Sequence, residues 1–317
     1  MRRIPSLWLW GWLWGSLCGL VGLAACAAAD DTPVASTASA LATGDFHQLK
    51  RCGTPDPGVM QADAADSAVA QRTALAPTDR KKLTRIPVYF HIITNSAGQG
   101  DVSALVPAQI DVLNAAYALV GFKFHLVAIE VTQNDAWFAA GFGSKAERQM
   151  KKALRQGGPD TLNVYTGENS DGLLGWATFP SDFASKPWDD GIVIFDLSMP
   201  GGGLEFPDDP SEEPDGVLAY DHGDTLTHEA GHWFGLFHTF QGGCKADAGK
   251  GDRIADTPAE AEPQFFCVAR DSCTGKKFPG TDPIHNFMDY GDDDCLDQFT
   301  DDQFDRMQDQ FGAFRAD

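Results

Sequence analysis

Residues 228 to 238 carry the side-chain types needed to hold a metal ion and use it: His228, Glu229, His232, Gly235 and His238, in the spacing H-E-x-x-H-x-x-G-x-x-H. On a helix, residues four apart share a face, so His228 and His232 present two imidazoles to one ion. Glu229 sits at the edge of that face, where its carboxylate can reach a water beside the metal. Gly235 accepts positive φ at little cost, which lets the helix stop and the chain turn back. His238 can then rise beneath the metal as a third nitrogen ligand. Three neutral ligands and one open position describe a catalytic zinc site rather than a closed structural one. A helix that carries three histidines for unrelated reasons is the competing reading, and it leaves Glu229 and Gly235 unexplained.

Other residues add to this chemistry. Asn286-Phe-Met-Asp-Tyr290 follows, with Met288 lying 50 residues beyond His238. A methionine in a tight turn can form an apolar floor under the histidines, although Met is more often core filler. Tyr290 could aim its hydroxyl at the same place. Upstream, Cys52 stands alone in Lys50-Arg-Cys-Gly-Thr-Pro55. A thiolate is a strong zinc ligand, so Cys52 can fill the open position and hold the chain latent; an incidental thiol is the plain alternative. Asp252, Asp256 and Thr257 bring hard oxygen donors close together and could bind calcium, though not in an EF-hand pattern.

Composition bounds the partners. The 317-residue chain can hold one or two domains. Its net charge of -21 argues against nucleic acid and suits cations or a basic substrate, although acidic surfaces also serve solubility. Met1-Arg-Arg3 and the apolar run Leu7 to Leu23 read as an export signal. Leu23-Ala-Ala-Cys26 has the form of a bacterial lipobox, with Cys26 lipidated as the first mature residue; cleavage after a small residue such as Ala29 is the alternative. The expected location is a bacterial membrane-anchored lipoprotein or the extracellular medium. Membrane contact would come only through that anchor, since no later apolar run reaches the ~20 residues of a span. Seven cysteines include Cys18 and Cys26 in or beside the signal, and Cys244, Cys267, Cys273 and Cys295 after the zinc motif. Four cysteines in an exported region suggest two disulfides, with three pairings open.

Elements must then position these groups. Residues 1–25 read as signal, 26–84 as a tether and pro-segment, and 85–317 as a catalytic domain with an upper part, 85–238, and a lower part, 239–317. Residues 60–85 are polar and Ala-rich with several basic residues, and read as a linker that a protease could cut. Ile86 to Ile93 is an apolar strand in which His91 packs within the sheet. Pro107 to Val120 has helical spacing. Phe122 to Val131 reads as a strand, Ser144 to Gln156 as a basic helix, Leu162 to Thr166 as a short strand, and Gly172 to Pro180 as an edge strand. Gly191 to Asp196 is a buried strand. Strands interleaved with helices indicate an α/β layer. An acidic loop over 200–216 precedes the zinc helix, which runs from about Asp224 to Gly235. Cys244 to Cys295 lacks periodicity and needs staples. Thr300 to Phe314 is an amphipathic helix.

Together, His228 to Phe240, Gly242-Gly-Cys244, Asp256-Thr-Pro258, Asn286 to Tyr290 and Cys295 resemble the pappalysin family of metzincin peptidases (M43), most of all its small prokaryotic members. The resemblance implies an α+β fold of metzincin zinc-protease type: an upper α/β-type subdomain with a twisted mixed sheet, and an irregular lower subdomain. It implies a zinc endopeptidase with His228, His232 and His238 as ligands, Glu229 as general base, Met288 as the Met-turn residue and Tyr290 stabilising the transition state. The disulfides Cys244–Cys273 and Cys267–Cys295, calcium near Asp252–Thr257, and a zymogen closed by Arg51-Cys-Gly-Thr54 are implied in the same way. Peptides would lie along Gly172–Phe179. Gly291-Asp-Asp-Asp294 falls where this family builds the pocket for the residue after the cleaved bond. Asp293 there would select Arg or Lys by a charge-assisted pair; a solvated acidic turn is the alternative. The chain is expected to act as a monomer on peptide or protein substrates, with no nucleic acid. The second reading is a catalytically silent, calcium-stabilised surface-binding lipoprotein.

Overall fold

The computed structural model describes residues 50–75, 82–168, 172–207, 217–245 and 251–316. The export signal, the lipobox at Cys26, the tether and much of the acidic loop before the zinc motif lie outside the described residues.

A six-stranded mixed sheet forms the upper part, and it joins most of the expected strands. Its strands are β1 (Lys50–Cys52), β2 (Thr84–Thr94), β3 (Phe122–Gln133), β4 (Leu162–Gly167), β5 (Leu173–Ala177) and β6 (Ile192–Phe195), in the spatial order β1-β5-β6-β4-β2-β3. All neighbours are parallel except β5 and β6, which run antiparallel. Parallel strands need both faces covered, and β4, β5 and β6 are accordingly buried along their whole length. On β2, Ile86, Val88, Phe90 and Ile92 alternate onto one face and are fully buried. They pack with Val106 and Leu113 of α2 (Val106–Ala116) and with Leu226, Ala230 and Trp233 of the zinc-motif helix. Ile93, Tyr165, Val193 and Trp176 pack on the other face with Phe138 of α3 (Asp135–Phe138) and Met150 of α4 (Lys145–Leu154). His91 is buried in the sheet, bonded to Asn163 and stacked on Tyr165, so it is a packed residue as expected.

Three differences from expectation matter for the site. Residues 59–75 form helix α1 (Val59–Leu75) rather than a linker. The stretch is alanine-rich with no internal Gly or Pro, which favours helix; its ion pairs to distant residues then fix it in place. Strand β5 is not outermost, because the short β1 adds parallel to it, with Cys52 opposite Gly175. Residues 205–207 and 217–219 form a small antiparallel ribbon, β7 (Glu205–Pro207) and β8 (Val217–Ala219), within a stretch whose glycines and prolines suggested only loop.

The zinc-motif helix is α5 (Asp224–Trp233), and the last helix is α6 (Asp301–Phe314). Thr300 and Gln303 form a capping box at the start of α6. Met307 and Phe311 of α6 join the main core, so this helix ties the irregular lower part to the sheet. The lower part is also stapled by Cys244–Cys273 and Cys267–Cys295, with Cα separations of 5.2 and 5.4 Å, the pairing that the family resemblance implied.

Just beyond α6, Arg315 is fully buried, stacked 3.6 Å over the Trp233 ring and doubly bonded to Asp190. Burial is the main effect on its pKa and lowers it, with Asp190 opposing. Asp190 keeps Arg155 Nη2 at 3.5 Å and the Thr178 hydroxyl at 3.0 Å, so Arg315→Ala loses two charge-assisted bonds without stranding the carboxylate and should cost about 1.5–3 kcal/mol of stability. Urea unfolding followed by tryptophan fluorescence would measure this.

Candidate metal centre and active site

Helix α5 enters the site from a left-handed Gly223 (φ 101°) that leaves its first N–H groups open. The lower part supplies the cap. Asp293 Oδ2 accepts from the backbone N–H of His222, Gly223 and Asp224 at 2.9, 3.2 and 3.3 Å. A carboxylate at a helix N-terminus is favoured by the helix dipole as well as by these bonds. The helix ends at Gly235, with φ 96°, and the chain reverses there as the motif required.

All three motif histidines are buried. His228 Nδ1 lies 2.6 Å from the Phe287 carbonyl, His232 Nδ1 2.8 Å from the Leu236 carbonyl, and His238 Nδ1 2.9 Å from Asp56 Oδ1. Each of these partners can only accept, so each Nδ1 carries the hydrogen and each Nε2 keeps a lone pair. Those lone pairs converge. His232 Nε2 and His238 Nε2 are 3.1 Å apart, and His228 Nε2 has no hydrogen-bond partner although it is buried. Lone pairs facing one another repel unless a cation lies between them. The Cys52 sulfur is 3.6 Å from His232 Nε2, and the four ligand atoms lie within 4.8 Å of one another. Burial, followed by the neighbouring imidazoles, pushes His228 and His232 well below the usual histidine range, which is the neutral form a metal requires. Burial and then Glu229 push the Cys52 thiol well up; a bound dication acts in the opposite sense. The donor set therefore fits a tetrahedral zinc of three nitrogens and one sulfur.

Met288 is fully buried against α5. A Cβ on Gly231 would run into its sulfur, so the helix and residue 288 pack closely enough that a larger residue would have to displace the methionine side chain. Gly231→Ala is expected to cost about 1–3 kcal/mol through overpacking and to lower metal retention. Thermal unfolding with a zinc assay would show both. Tyr290 lies beside the histidines, its hydroxyl 3.3 Å from His238 Nε2. Glu229 is buried, with one carboxylate oxygen 2.9 Å from the Thr54 hydroxyl and the other without a partner. Burial raises its pKa to about 8, against the lowering effects of Cys52, Thr54 and Arg51. Strand β5 passes close beneath, and a Cβ on Gly175 would press on the Glu229 side chain.

Segment 51–56 fills the cleft between the two parts. Arg51 is buried, its Nη1 3.0 Å from Asp293 Oδ1 and its guanidinium 5.0 Å from the centre of the Tyr220 ring. Thr54 donates to Glu229 while accepting from the Ala177 N–H at 2.8 Å, so one hydroxyl ties the segment to both helix and sheet.

The proposed calcium residues share a cavity of about 150 Å³ that Glu260 also lines. Asp252 and Thr257 are bonded to each other there, while Asp256 accepts from the Asp302 N–H at the start of α6. The other cysteine–histidine grouping among the described residues, Cys267, Cys295 and His285, has both sulfurs in a disulfide.

Comparison with known proteins agrees with this arrangement. The family profile described as Peptidase_M43, pregnancy-associated plasma protein-A, matches residues 216–312. The extracellular metalloprotease of Sordaria macrospora is 39% identical over 276 residues, covering 84% of this chain and 89% of that protein. The chain belongs to the M43 peptidase family. Extracellular metalloprotease 1 of Coccidioides posadasii is 38% identical to the M43 chain, over 84% of its length and 91% of the relative's. Among solved structures, a promirolysin variant of Tannerella forsythia matches with a TM-score of 0.60 and 26% identity, over 83% of the M43 chain and 94% of that one. Mature mirolysin in complex with a cleaved peptide matches with a TM-score of 0.57 and 27% identity, over 74% and 96%. This M43 protein is thus a metalloprotease acting on peptide bonds, with the metzincin-type α+β fold and a histidine-rich candidate metal site.

Thr54, expected only as part of the Arg-Cys-Gly-Thr segment, holds Glu229. Three further residues at the site of this M43 chain carried no role of their own in the sequence: Asp56 holds His238, Tyr220 faces Arg51, and Gly175 makes room for Glu229. These three have no local signal, because their partners are far away in the chain.

Proposed function

We propose that this chain is an exported zinc endopeptidase, made latent by its segment 50–75, that cleaves peptides before Arg or Lys. One observation carries this reading: Cys52 lies at the three histidines while its neighbour Arg51 fills a buried pocket on Asp293. The same pocket would take the side chain after the scissile bond. Arg51 precedes the residue at the metal, whereas a substrate's basic residue would follow the bond there. A substrate therefore runs opposite to residues 50–52. Since β1 is parallel to β5, the substrate pairs antiparallel to β5 once β1 has left. A reversed strand presents its peptide groups in the wrong sense for attack, which lets residues 50–54 occupy the cleft without being cut.

His228, His232 and His238 would hold the zinc, which when bound makes a water more acidic and polarises the scissile carbonyl. Glu229 then takes the proton from the attacking water and passes it to the leaving amine, a base-then-acid role. The Tyr290 hydroxyl donates to the oxygen that becomes negative. Met288 packs under the histidines and fixes their height. Export follows from the leader-like N-terminus and from relatives named extracellular; lipidation at Cys26 is part of the proposal. Calcium would sit in the Asp252–Glu260 cavity and hold the lower part. Excess calcium should then raise the melting temperature, and Asp252→Asn should abolish the rise.

The test is casein digestion by the full chain. Cys52→Ala should digest casein without processing and lose that activity to a zinc chelator. The unsubstituted chain should be at least about tenfold slower until its pro-segment is removed. No digestion by either form, with zinc bound, would favour the silent surface-binding alternative.

A further inference from the structure

Helix α1 is held on the body more by charge than by apolar contact, since only Ala62 and Ala65 are buried along it. Asp66 sits between two guanidiniums. Arg306 Nη1 is 2.9 Å from one of its oxygens and Arg253 Nη1 is 3.2 Å from the other. Arg253 Nη2 also reaches Asp63 at 2.8 Å. Both arginines belong to the lower part and are built in. Arg306 lies 4.7 Å over the Phe237 ring and donates from Nε to the Gly235 carbonyl at 2.8 Å. Gly235 and Phe237 belong to the turn of the zinc motif, so Arg306 packs directly on that turn, and Arg253 is linked to it through Asp66. Arg253 has φ 69°, the left-handed non-glycine conformation among the described residues, at a cost of about 1 kcal/mol. Arg306 feels the like charge of Arg253 and the opposite charge of Asp252, so the pair is partly compensated from the body and gains further from a carboxylate placed between the two guanidiniums, as Asp66 is.

We propose that Arg253 and Arg306 form a subsite for acidic side chains of the substrate, on the N-terminal side of the scissile bond, and that Asp63 and Asp66 occupy it in the latent chain. The direction follows from the cleft. Arg51 marks the pocket for the residue after the bond at the start of α5, whereas Gln61, Ala62 and Ala65 of α1 lie beside Gly235 and Phe237 at the other end of that helix. The groove beside α1, about 450 Å³, is also lined by Asp302, Asp305 and Asp309 of α6. These weaken the long-range field, so selection acts by contact, as Asp66 makes it, and fades with added salt.

This inference rests on the protease reading, and its test separates the two. The full chain, loaded with zinc and cut by trypsin in the Arg80–Arg85 segment, is given two peptides. Both share one cleavable core with Arg after the scissile bond. One carries an upstream arm of aspartates and the other the same arm with asparagines. The acidic arm should raise kcat/KM about fivefold, through KM, and Arg253→Gln or Arg306→Lys should bring the ratio towards unity. A ratio near unity in the unsubstituted enzyme, or one unmoved by Arg253→Gln, overturns the proposal. Fluorescence anisotropy of the two arms without the core needs no catalysis. If neither peptide is cut, the protease reading fails, and selective binding of the acidic arm still supports the subsite while equal or absent binding refutes it.

Discussion

Glu229→Ala should retain zinc and the fold yet lose peptide hydrolysis by about 10³-fold or more, the scale of a general base in the chemical step. The expectation rests on position. Glu229 follows the first ligand on α5, is buried, and keeps one carboxylate oxygen without a partner beside the converging imidazoles. No other carboxylate among the described residues shares that place: Asp56 is spent on His238, and Asp293 on Arg51 and the helix start. A fall in kcat with KM little changed would place the loss in the transition state. A variant that keeps more than a tenth of the activity would remove Glu229 from the proposed mechanism.

The second large effect concerns Asp293, whose two oxygens do different things. Oδ1 meets the guanidinium of Arg51, and Oδ2 caps the start of α5. Asp293→Ala should therefore lower kcat/KM for peptides with Arg after the bond by about 30- to 5000-fold, since losing one member of a buried charge pair costs about 2–5 kcal/mol. It should also remove a helix cap worth about 1 kcal/mol. Asp293→Asn separates the effects, because an amide oxygen still accepts from the helix but carries no charge. Selectivity should then be lost while the melting temperature is largely kept. An unchanged preference for Arg in Asp293→Asn would show that the pocket lies elsewhere.

What was legible in the sequence was whatever is encoded locally. Three histidines, a glutamate and a glycine within one helix and its turn specify their own geometry, and α5 with Gly235 places them accordingly. The buried runs at Ile86–Ile93 and Gly191–Asp196 could only be strands because β-branched and aromatic residues fill both faces. Helix α1 was missed for the opposite reason. It has no apolar stripe to give periodicity, and what anchors it is a pair of arginines 187 and 240 residues away in sequence from Asp66. Likewise, Asp293 could be suspected as a pocket wall, but its bonds to His222, Gly223 and Asp224 join two parts of the chain that no local pattern relates. The Arg-Cys-Gly-Thr signature marked a segment worth attention. The pairing of that segment with β5, and the direction it implies for a substrate, belongs to the sheet and not to the signature.

The measurement that bears most directly on this account is the cleavage profile of the processed, zinc-loaded chain on an unbiased peptide library, read by sequencing the new N-termini. The predicted result is new N-termini dominated by Arg, with Lys second, all abolished by a zinc chelator. Cleavage with no basic preference after the scissile bond, or cleavage that persists without metal, would contradict it.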